Sequence, residues 1–179
     1  MTLKSFFSGL FISLFGCSPT IYTRGVPNLV QVGPGLWRSG QPTTIDSWNY
    51  LKSLGINHIV KLNFDSEGSD DEATTVGLIV YKLGIQPEGD KDILDNISNT
   101  FLVPDRSNII EAEKIIQQDG GVLVHCTHGQ DRTGLIIGIH RVKHESWTKD
   151  SAYREMLARH FHPELHGLQE FWELSGWIK

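Results

Sequence analysis

The ten residues HCTHGQDRTG, at positions 125–134, lie between two apolar runs of the sequence. The run before them, Val122 to Val124, follows two glycines and is apolar throughout, as is typical of a strand buried in a parallel sheet. The run after them, Thr133 to Lys143, is apolar on most sides and predicts a central helix. A loop that closes on a helix N-terminus points several backbone N–H groups at one spot, where the helix dipole adds positive potential. The segment therefore predicts a loop that binds an oxyanion.

The side chains of this loop indicate nucleophilic chemistry on a phosphate group. The field that binds an oxyanion also favours the thiolate form of Cys126. Gly129 permits a tight turn where a side chain would collide, and the planar fork of Arg132 matches two phosphate oxygens at once. We expect Thr133 to donate its hydroxyl to the sulfur, and His125 to orient the loop through backbone contacts.

The N-terminal segment differs from the rest of the chain. Residues 1–17 combine a positive start, an apolar run and a Gly-Cys pair, which indicates a secretory signal; the run is too short to span a bilayer. Its Leu-x-Gly-Cys ending resembles a bacterial lipoprotein box, which implies lipidation of Cys17 and membrane attachment on the periplasmic side. An uncleaved anchor and an unexported, cytoplasmic chain are the alternatives. With Cys17 lipidated, Cys126 is the only other cysteine, so no internal disulfide is possible.

Turn residues and apolar spacing divide the remainder into a tether at 18–35, rich in proline and glycine, and one domain at 36–179. The predicted elements of the domain are a strand at 36–39, a helix at 43–53, a strand at 56–64, a helix from Asp70 or Asp71 to Leu83, an extended piece from Ile85, a long polar loop at 89–104, a helix over 109–116, and two helices near 148–160 and 163–175. Strands and helices alternate up to the oxyanion-binding loop at Cys126, and only helices follow that loop. This order indicates an α/β fold with a mainly parallel central sheet flanked by helices.

Composition narrows the classes of partner. The net charge of -5 and the pI near 5.9 argue against nucleic acid as a partner.

Several histidines lie in the C-terminal part of the chain, at His140, His144, His160, His162 and His166. They lack a carboxylate or cysteine at ligand spacing, so we predict no metal site and no cofactor. We expect a monomer.

His-Cys-x5-Arg-Thr-Gly after a buried strand resembles the signature of the protein tyrosine phosphatase superfamily, in its small dual-specificity-like branch. Two further stretches resemble members of that branch: Trp37-Arg38-Ser39-Gly40-Gln41-Pro42, and the region from Ile139 to Met156. The similarity covers roughly residues 35–160. It implies a protein tyrosine phosphatase-like fold and hydrolysis of phosphomonoesters.

The resemblance also implies roles for individual residues. Cys126 would attack phosphorus and form a cysteinyl phosphate, with no need for a metal. The backbone amides and the Arg132 guanidinium would stabilise the equatorial oxygens. The phosphate-binding set is then Thr127, His128, Gly129, Gln130, Asp131, Arg132 and Thr133.

The proton donor is less clearly marked. Members of the family place an aspartate on a mobile loop well before the cysteine, and Asp90, Asp92 and Asp95 lie in that stretch without a Trp-Pro-Asp setting. Asp105 follows a proline but suits a helix cap. Asp131 resembles an in-loop aspartate of myotubularin-type lipid phosphatases that serves as the acid, although it could also brace Arg132. We rank Asp131 first and Asp92 second.

The substrate is predicted only by class. The primary interpretation is a tyrosine or dual-specificity phosphatase acting on a phosphorylated protein or a small phosphorylated metabolite. An inositol phosphate or phosphoinositide phosphatase is an alternative, although the loop lacks the lysines expected for highly phosphorylated inositides. A catalytically weak module that binds a phosphorylated ligand is a third. A sulfur-transfer or redox role is disfavoured because no resolving cysteine is present.

Overall fold

The computed structural model describes residues 23–88 and 106–174 of the chain. Its strands are β1 (Val30–Gly33), β2 (Leu36–Ser39), β3 (Ile56–Lys61), β4 (Ile79–Lys82) and β5 (Gly121–His125). They form one sheet in the order β1-β2-β5-β3-β4. β1 is antiparallel to β2, and every other neighbouring pair is parallel. The predicted α/β fold with a mainly parallel central sheet is confirmed.

The helices of the described residues flank this sheet. They are α1 (Ile45–Ser53), α2 (Asp71–Thr75), α3 (Arg106–Ile116), α4 (Asp131–His144), α5 (Lys149–Ala158) and α6 (His166–Leu174), with a short 3-10 helix at Asp65–Glu67. Thr44 and Thr148 cap α1 and α5, because each side chain accepts a hydrogen bond from a backbone N–H in the first turn. These local signals explain why both helices could be predicted.

β5 lies at the centre of the sheet and all of its residues are buried. Val122 and Val124 face a core built with α3, α4, α5 and α6, whereas Leu123 faces a second core that includes Trp48 of α1. Both faces of the sheet are therefore covered, which is the usual condition of a parallel strand.

α4 is the central helix, as its apolar sequence predicts. It is buried along most of its length beneath α5 and α6. Gly138 permits this approach, since a Cβ there would lie 2.7 Å from Met156 Sδ and 3.2 Å from the Trp172 ring. The loop before α4 is thus held between a buried strand and a buried helix.

The region after β3 differs from its prediction. The helix expected from Asp70 or Asp71 to Leu83 ends at Thr75, and Ile79–Lys82 forms β4. Gly77 explains the difference, because its φ of 81° is a left-handed conformation that ends the helix. The β-branched and aromatic residues that follow favour a strand. The extended piece therefore begins before Ile85.

The sheet also begins earlier than expected. β1 lies inside the stretch 18–35 that the sequence predicts to be a tether, and it pairs with β2. Predictions on Cys17, Asp92 and the loop at 89–104 fall outside the described residues. Among residues 23–88 and 106–174, no helix has the length and apolar character needed to cross a membrane.

Candidate active site

The loop between β5 and α4 turns its carbonyl groups outward. Three consecutive carbonyl oxygens accept hydrogen bonds from groups outside the loop. The bonds run from the Gln41 backbone N–H to Thr127 O (3.0 Å), from Asn28 Nδ2 to His128 O (2.9 Å), and from Arg38 Nη2 to Gly129 O (2.7 Å). One donor, Arg38, lies in β2, and the other two lie just before β1 and just after β2.

This arrangement fixes where the amide groups of the loop point. The described peptide bonds are trans, and in a trans peptide the N–H points opposite to the C=O. The N–H groups of His128, Gly129 and Gln130 therefore face the inner side of the loop. The first turn of α4 adds N–H groups that have no acceptor within the helix. An oxyanion on the inner side would meet a cluster of donors and the positive end of a buried helix.

Gly129 has the role that the sequence predicts. Its φ is +74°, and a Cβ would lie 2.4 Å from Ser39 C and 2.5 Å from Gly40 N. No side chain fits there, because the loop packs directly against the backbone that follows β2. The close approach is what allows the donors beside β2 to reach the loop carbonyls.

Cys126 and Arg132 stand at the two ends of the loop, and both are buried. Arg132 makes a bidentate contact with the carboxylate of Glu67, with Nη1 at 2.8 Å from Oε2 and Nη2 at 2.6 Å from Oε1. Thr127 Oγ1 donates to the same Oε1 at 3.0 Å. The two carboxylate oxygens of Glu67 thus stand in for the two phosphate oxygens that the guanidinium fork is predicted to hold.

Charge holds this contact together. The hydrogen bonds from Arg132 lower the pKa of Glu67 to about 2, so Glu67 is an anion near neutral pH. Burial lowers the pKa of Arg132, but the hydrogen bonds to Glu67 and the charge interactions with Cys126 and Glu67 outweigh burial and raise that pKa. A phosphate that binds Arg132 must therefore displace, or share the cation with, an ionised carboxylate.

A buried polar network lies beneath the loop. His125 Nε2 is 2.8 Å from Asp70 Oδ2, and neither side chain is exposed. Gln41 Nε2 donates to Asp70 Oδ1 at 2.7 Å, and Lys61 Nζ lies 3.6 Å from the same oxygen. Burial raises the pKa of Asp70, but its hydrogen bond and charge interaction with His125 outweigh burial and lower that pKa. His125 is thus oriented through its side chain, beyond the backbone contact that the sequence predicts.

Asp131 lies at the first position of α4, where a negative charge is favoured by the helix dipole. Its Oδ1 accepts hydrogen bonds from the backbone N–H of His162 at 2.8 Å and from the ring Nδ1 at 2.9 Å. The carboxylate therefore connects the start of α4 to the segment after α5. Its hydrogen bonds are with His162, whereas its interaction with the neighbouring Arg132 is one of charge and helps to raise the pKa of that arginine.

One predicted contact is not formed. Thr133 Oγ1 is buried and has no hydrogen-bond partner among the described residues, so the predicted bond to the Cys126 sulfur is not present. The His128 side chain is exposed, and this residue contributes its backbone amide to the loop instead.

Glu67 and Asp70 were missed by sequence reasoning. Both come from the segment after β3, and they contact residues 65 and 55 positions further along the chain. A carboxylate without a fixed spacing from its partner gives no signal in a single sequence. Arg38 and Gln41 carried a signal, since they belong to the stretch 37–42 that resembles phosphatases.

Comparison with known proteins agrees with this geometry. The model of a tyrosine phosphatase family matches residues 26–169. The chain is 33% identical over 134 residues to a rice protein named inositol diphosphatase DSP2, covering 72% of this chain and 59% of that protein. It is 28% identical over 130 residues to the dual specificity protein phosphatase TpbA of Pseudomonas aeruginosa, covering 72% and 53%. The chain thus spans little more than half the length of these curated relatives.

The fold is similar to that of solved phosphatase structures. The crystal structure of P. aeruginosa TpbA superposes with a TM-score of 0.63 at 21% identity, covering 88% of this chain and 92% of that one. The family match extends from Val26, before β1, to Gln169 in α6, and so includes β1 to β5 and the whole loop from Cys126 to Arg132. The chain therefore belongs to the tyrosine phosphatase family.

Proposed function

We propose that this protein hydrolyses phosphomonoesters through a cysteinyl-phosphate intermediate, as a tyrosine or dual-specificity phosphatase. One observation carries the proposal. The three outward carbonyl groups of the loop direct its amides to the side where a phosphate would lie between Cys126 and Arg132. The family to which the chain belongs supports the same chemistry.

The reaction would proceed in two displacements. The Cys126 thiolate attacks phosphorus, an S–P bond forms, and the P–O bond to the ester breaks as a carboxylic acid protonates the leaving oxygen. Water then attacks phosphorus, the S–P bond breaks, and the carboxylate accepts the proton of the water. The inner amides and Arg132 balance the charge that moves onto the equatorial oxygens.

Asp131 is proposed as the proton donor, with Asp92 second. The contact with His162 gives Asp131 a competing role as an anchor for the segment after α5. Asp131→Asn and Asp92→Asn are compared on a substrate with a good aryl leaving group and on one with an alkyl leaving group. Loss of the acid lowers the rate on the alkyl ester far more than on the aryl ester, whereas loss of an anchor lowers both equally.

The central test is hydrolysis of an aryl phosphate by the wild type and by Cys126→Ser, with and without EDTA. We expect activity that EDTA does not change and that the substitution abolishes. Absence of turnover in the wild type together with tight binding of phosphate would instead identify a binding module.

An inositol phosphate is the second candidate substrate, because the rice relative and three further curated relatives are named inositol diphosphatases. Parallel assays with a phosphotyrosine peptide and an inositol pyrophosphate separate the two. The loop between Cys126 and Arg132 contains no lysine, so we expect the peptide to have the higher kcat/KM. A higher value for the inositol compound would reverse the assignment.

We also propose that Cys17 carries a lipid that attaches the exported protein to a membrane, with the phosphatase domain on the periplasmic side. The support is the sequence pattern at residues 1–17 alone. Cys17→Ala should move the protein from the membrane fraction to the soluble fraction. Retention of the variant on the membrane would contradict the anchor.

A further inference from the structure

Three potential metal ligands meet at the end of α4 that is remote from the loop. Glu113 belongs to α3, and His140 and His144 lie one turn apart on α4. One ligand atom from each residue lies within 4.8 Å of the others. We propose that Glu113, His140 and His144 form a binding site for a divalent transition-metal ion of the zinc class.

The strongest observation is the state of the Glu113 carboxylate. Its side chain is 2% exposed, and neither oxygen has a hydrogen-bond partner among the described residues. His140 Nδ1 is also buried without a partner. Burying polar atoms without a hydrogen bond is costly, so native structures rarely keep three of them at one place. A cation between them would satisfy all three.

The groups beside the carboxylate compensate for its buried charge only partly. Lys143 Nζ is 3.8 Å and His144 Nε2 is 3.3 Å from Glu113 Oε2, in each case without hydrogen-bond geometry. The Lys143 side chain is 31% exposed, so its ammonium is partly solvated.

The donor set suits zinc. Two imidazoles and one carboxylate are borderline ligands that bind Zn²⁺ at about 2.0–2.2 Å, with a fourth position left for water. Ligand atoms around such an ion lie about 3.4 Å apart, so small rotations of the side chains would close the present spacing. His144 is 31% exposed and offers a path of entry. Glu145 Oε1 lies 3.7 Å from His140 Nε2 and can orient the ring from behind.

The proposed ion would take no part in the phosphatase reaction, because His140 follows Arg132 by eight residues, or about 12 Å along the helix axis. It would join α3 to the C-terminal half of α4 and leave the reacting atoms untouched. The proposed phosphatase chemistry and this site are therefore independent, and each can fail without the other.

Zinc binding is measured on the full chain carrying Cys17→Ala and Cys126→Ser, since the thiolate of either cysteine would itself bind zinc. Equilibrium dialysis should give one ion per chain at this site, and zinc at 100-fold above its Kd should raise Tm by about 5–10 °C. Glu113→Gln preserves the shape of the buried side chain, and His144→Ala changes a partly exposed one. Each should weaken zinc affinity at least tenfold and reduce the rise in Tm to about half or less.

His166→Ala serves as the matched control, because this exposed histidine begins α6 outside the cluster. It should bind zinc as the parent does. Cobalt substitution adds a spectroscopic readout, since a tetrahedral site gives strong visible absorption that both ligand variants should lose. The proposal would be overturned if the parent bound no zinc. It would also be overturned if a ligand variant with the same Tm as the parent in the absence of zinc bound zinc with the same affinity.

Discussion

The charged side chains near the two ends of α4 differ in whether they have hydrogen-bond partners. At the N-terminal end Arg132 grips the Glu67 carboxylate and Asp131 accepts hydrogen bonds from His162. At the C-terminal end the Glu113 carboxylate is buried without a hydrogen bond. A ligand at the first end must displace a partner, whereas a cation at the second end would supply one. The charged groups at the first end already have partners, so a ligand there would bind by exchange. The carboxylate at the second end has no hydrogen-bond partner, so a bound cation would be held there.

The largest effect is expected from Arg132→Lys. A lysine keeps the charge but cannot hold two oxygens in one plane, so kcat/KM for an aryl phosphate should fall by about 10²–10³-fold. Arg141→Lys is the control on the same helix, since Arg141 also contacts carboxylates, those of Glu145 and Glu155. It should leave kcat/KM within about twofold. Equal losses would show that any arginine on α4 matters through stability alone.

The next effect tests how the loop is held. Arg38 is buried and donates to Gly129 O, and burial is the main cause that lowers its pKa to about 10. Arg38→Met should release this carbonyl and misplace the inner amides, lowering kcat/KM by up to about 10²-fold and weakening inhibition by phosphate. Arg24→Met is the control, because Arg24 stacks over Tyr50 away from the loop. Unchanged phosphate inhibition in Arg38→Met would mean that the loop keeps its shape unaided.

A smaller effect is expected from Glu67→Gln. Removing the carboxylate that competes for Arg132 should lower the inhibition constant of phosphate by up to about fivefold, the equivalent of an exposed ion pair of about 1 kcal/mol. Asp65→Asn is the control on the same short helix, where the carboxylate pairs with Lys61 and Lys82 instead. Weaker phosphate binding in Glu67→Gln would show that Glu67 positions Arg132 and does not compete with the ligand.

The smallest effect concerns stability. The folded-state pKa of Glu67, about 2, is below its ordinary value of 4.5. Its ion pair therefore stabilises the fold fully above pH 4.5, and this contribution is lost as pH falls toward 2. Urea unfolding should show Glu67→Gln less stable by below about 1 kcal/mol at pH 7, with the deficit shrinking by about half at pH 3.

Glu113→Gln gives the contrast in the same experiment. In EDTA at pH 7 it should not destabilise the protein, because it replaces a buried charge that has no hydrogen bond. A clear loss of stability there would mean that Glu113 is already compensated, and the difference between the two ends of α4 would disappear.

Sequence alone predicted the elements whose signals are local. β5, the loop and α4 could be predicted because an apolar strand, a glycine turn and an apolar helix are consecutive in the chain. β4 was hidden because its apolar residues continue the pattern of α2 across Gly77. The partners of the site, Glu67 and Asp70, depend on contacts between distant parts of the chain, as does the approach of Glu113 to His140. No spacing within one sequence encodes those contacts.

The hydrogen bonds that hold the carbonyl groups of the loop have a consequence for folding. Asn28 and Arg38 reach carbonyl groups 100 and 91 residues further along the chain, and contacts of that separation form late because chain closure is costly. During synthesis, Asn28 and Arg38 leave the ribosome long before the loop whose carbonyl groups they bind. Catalytic competence would thus appear only when the whole sheet has closed, and a fragment beginning after Pro42 would keep Cys126 and Arg132 yet lack the shape that makes them useful.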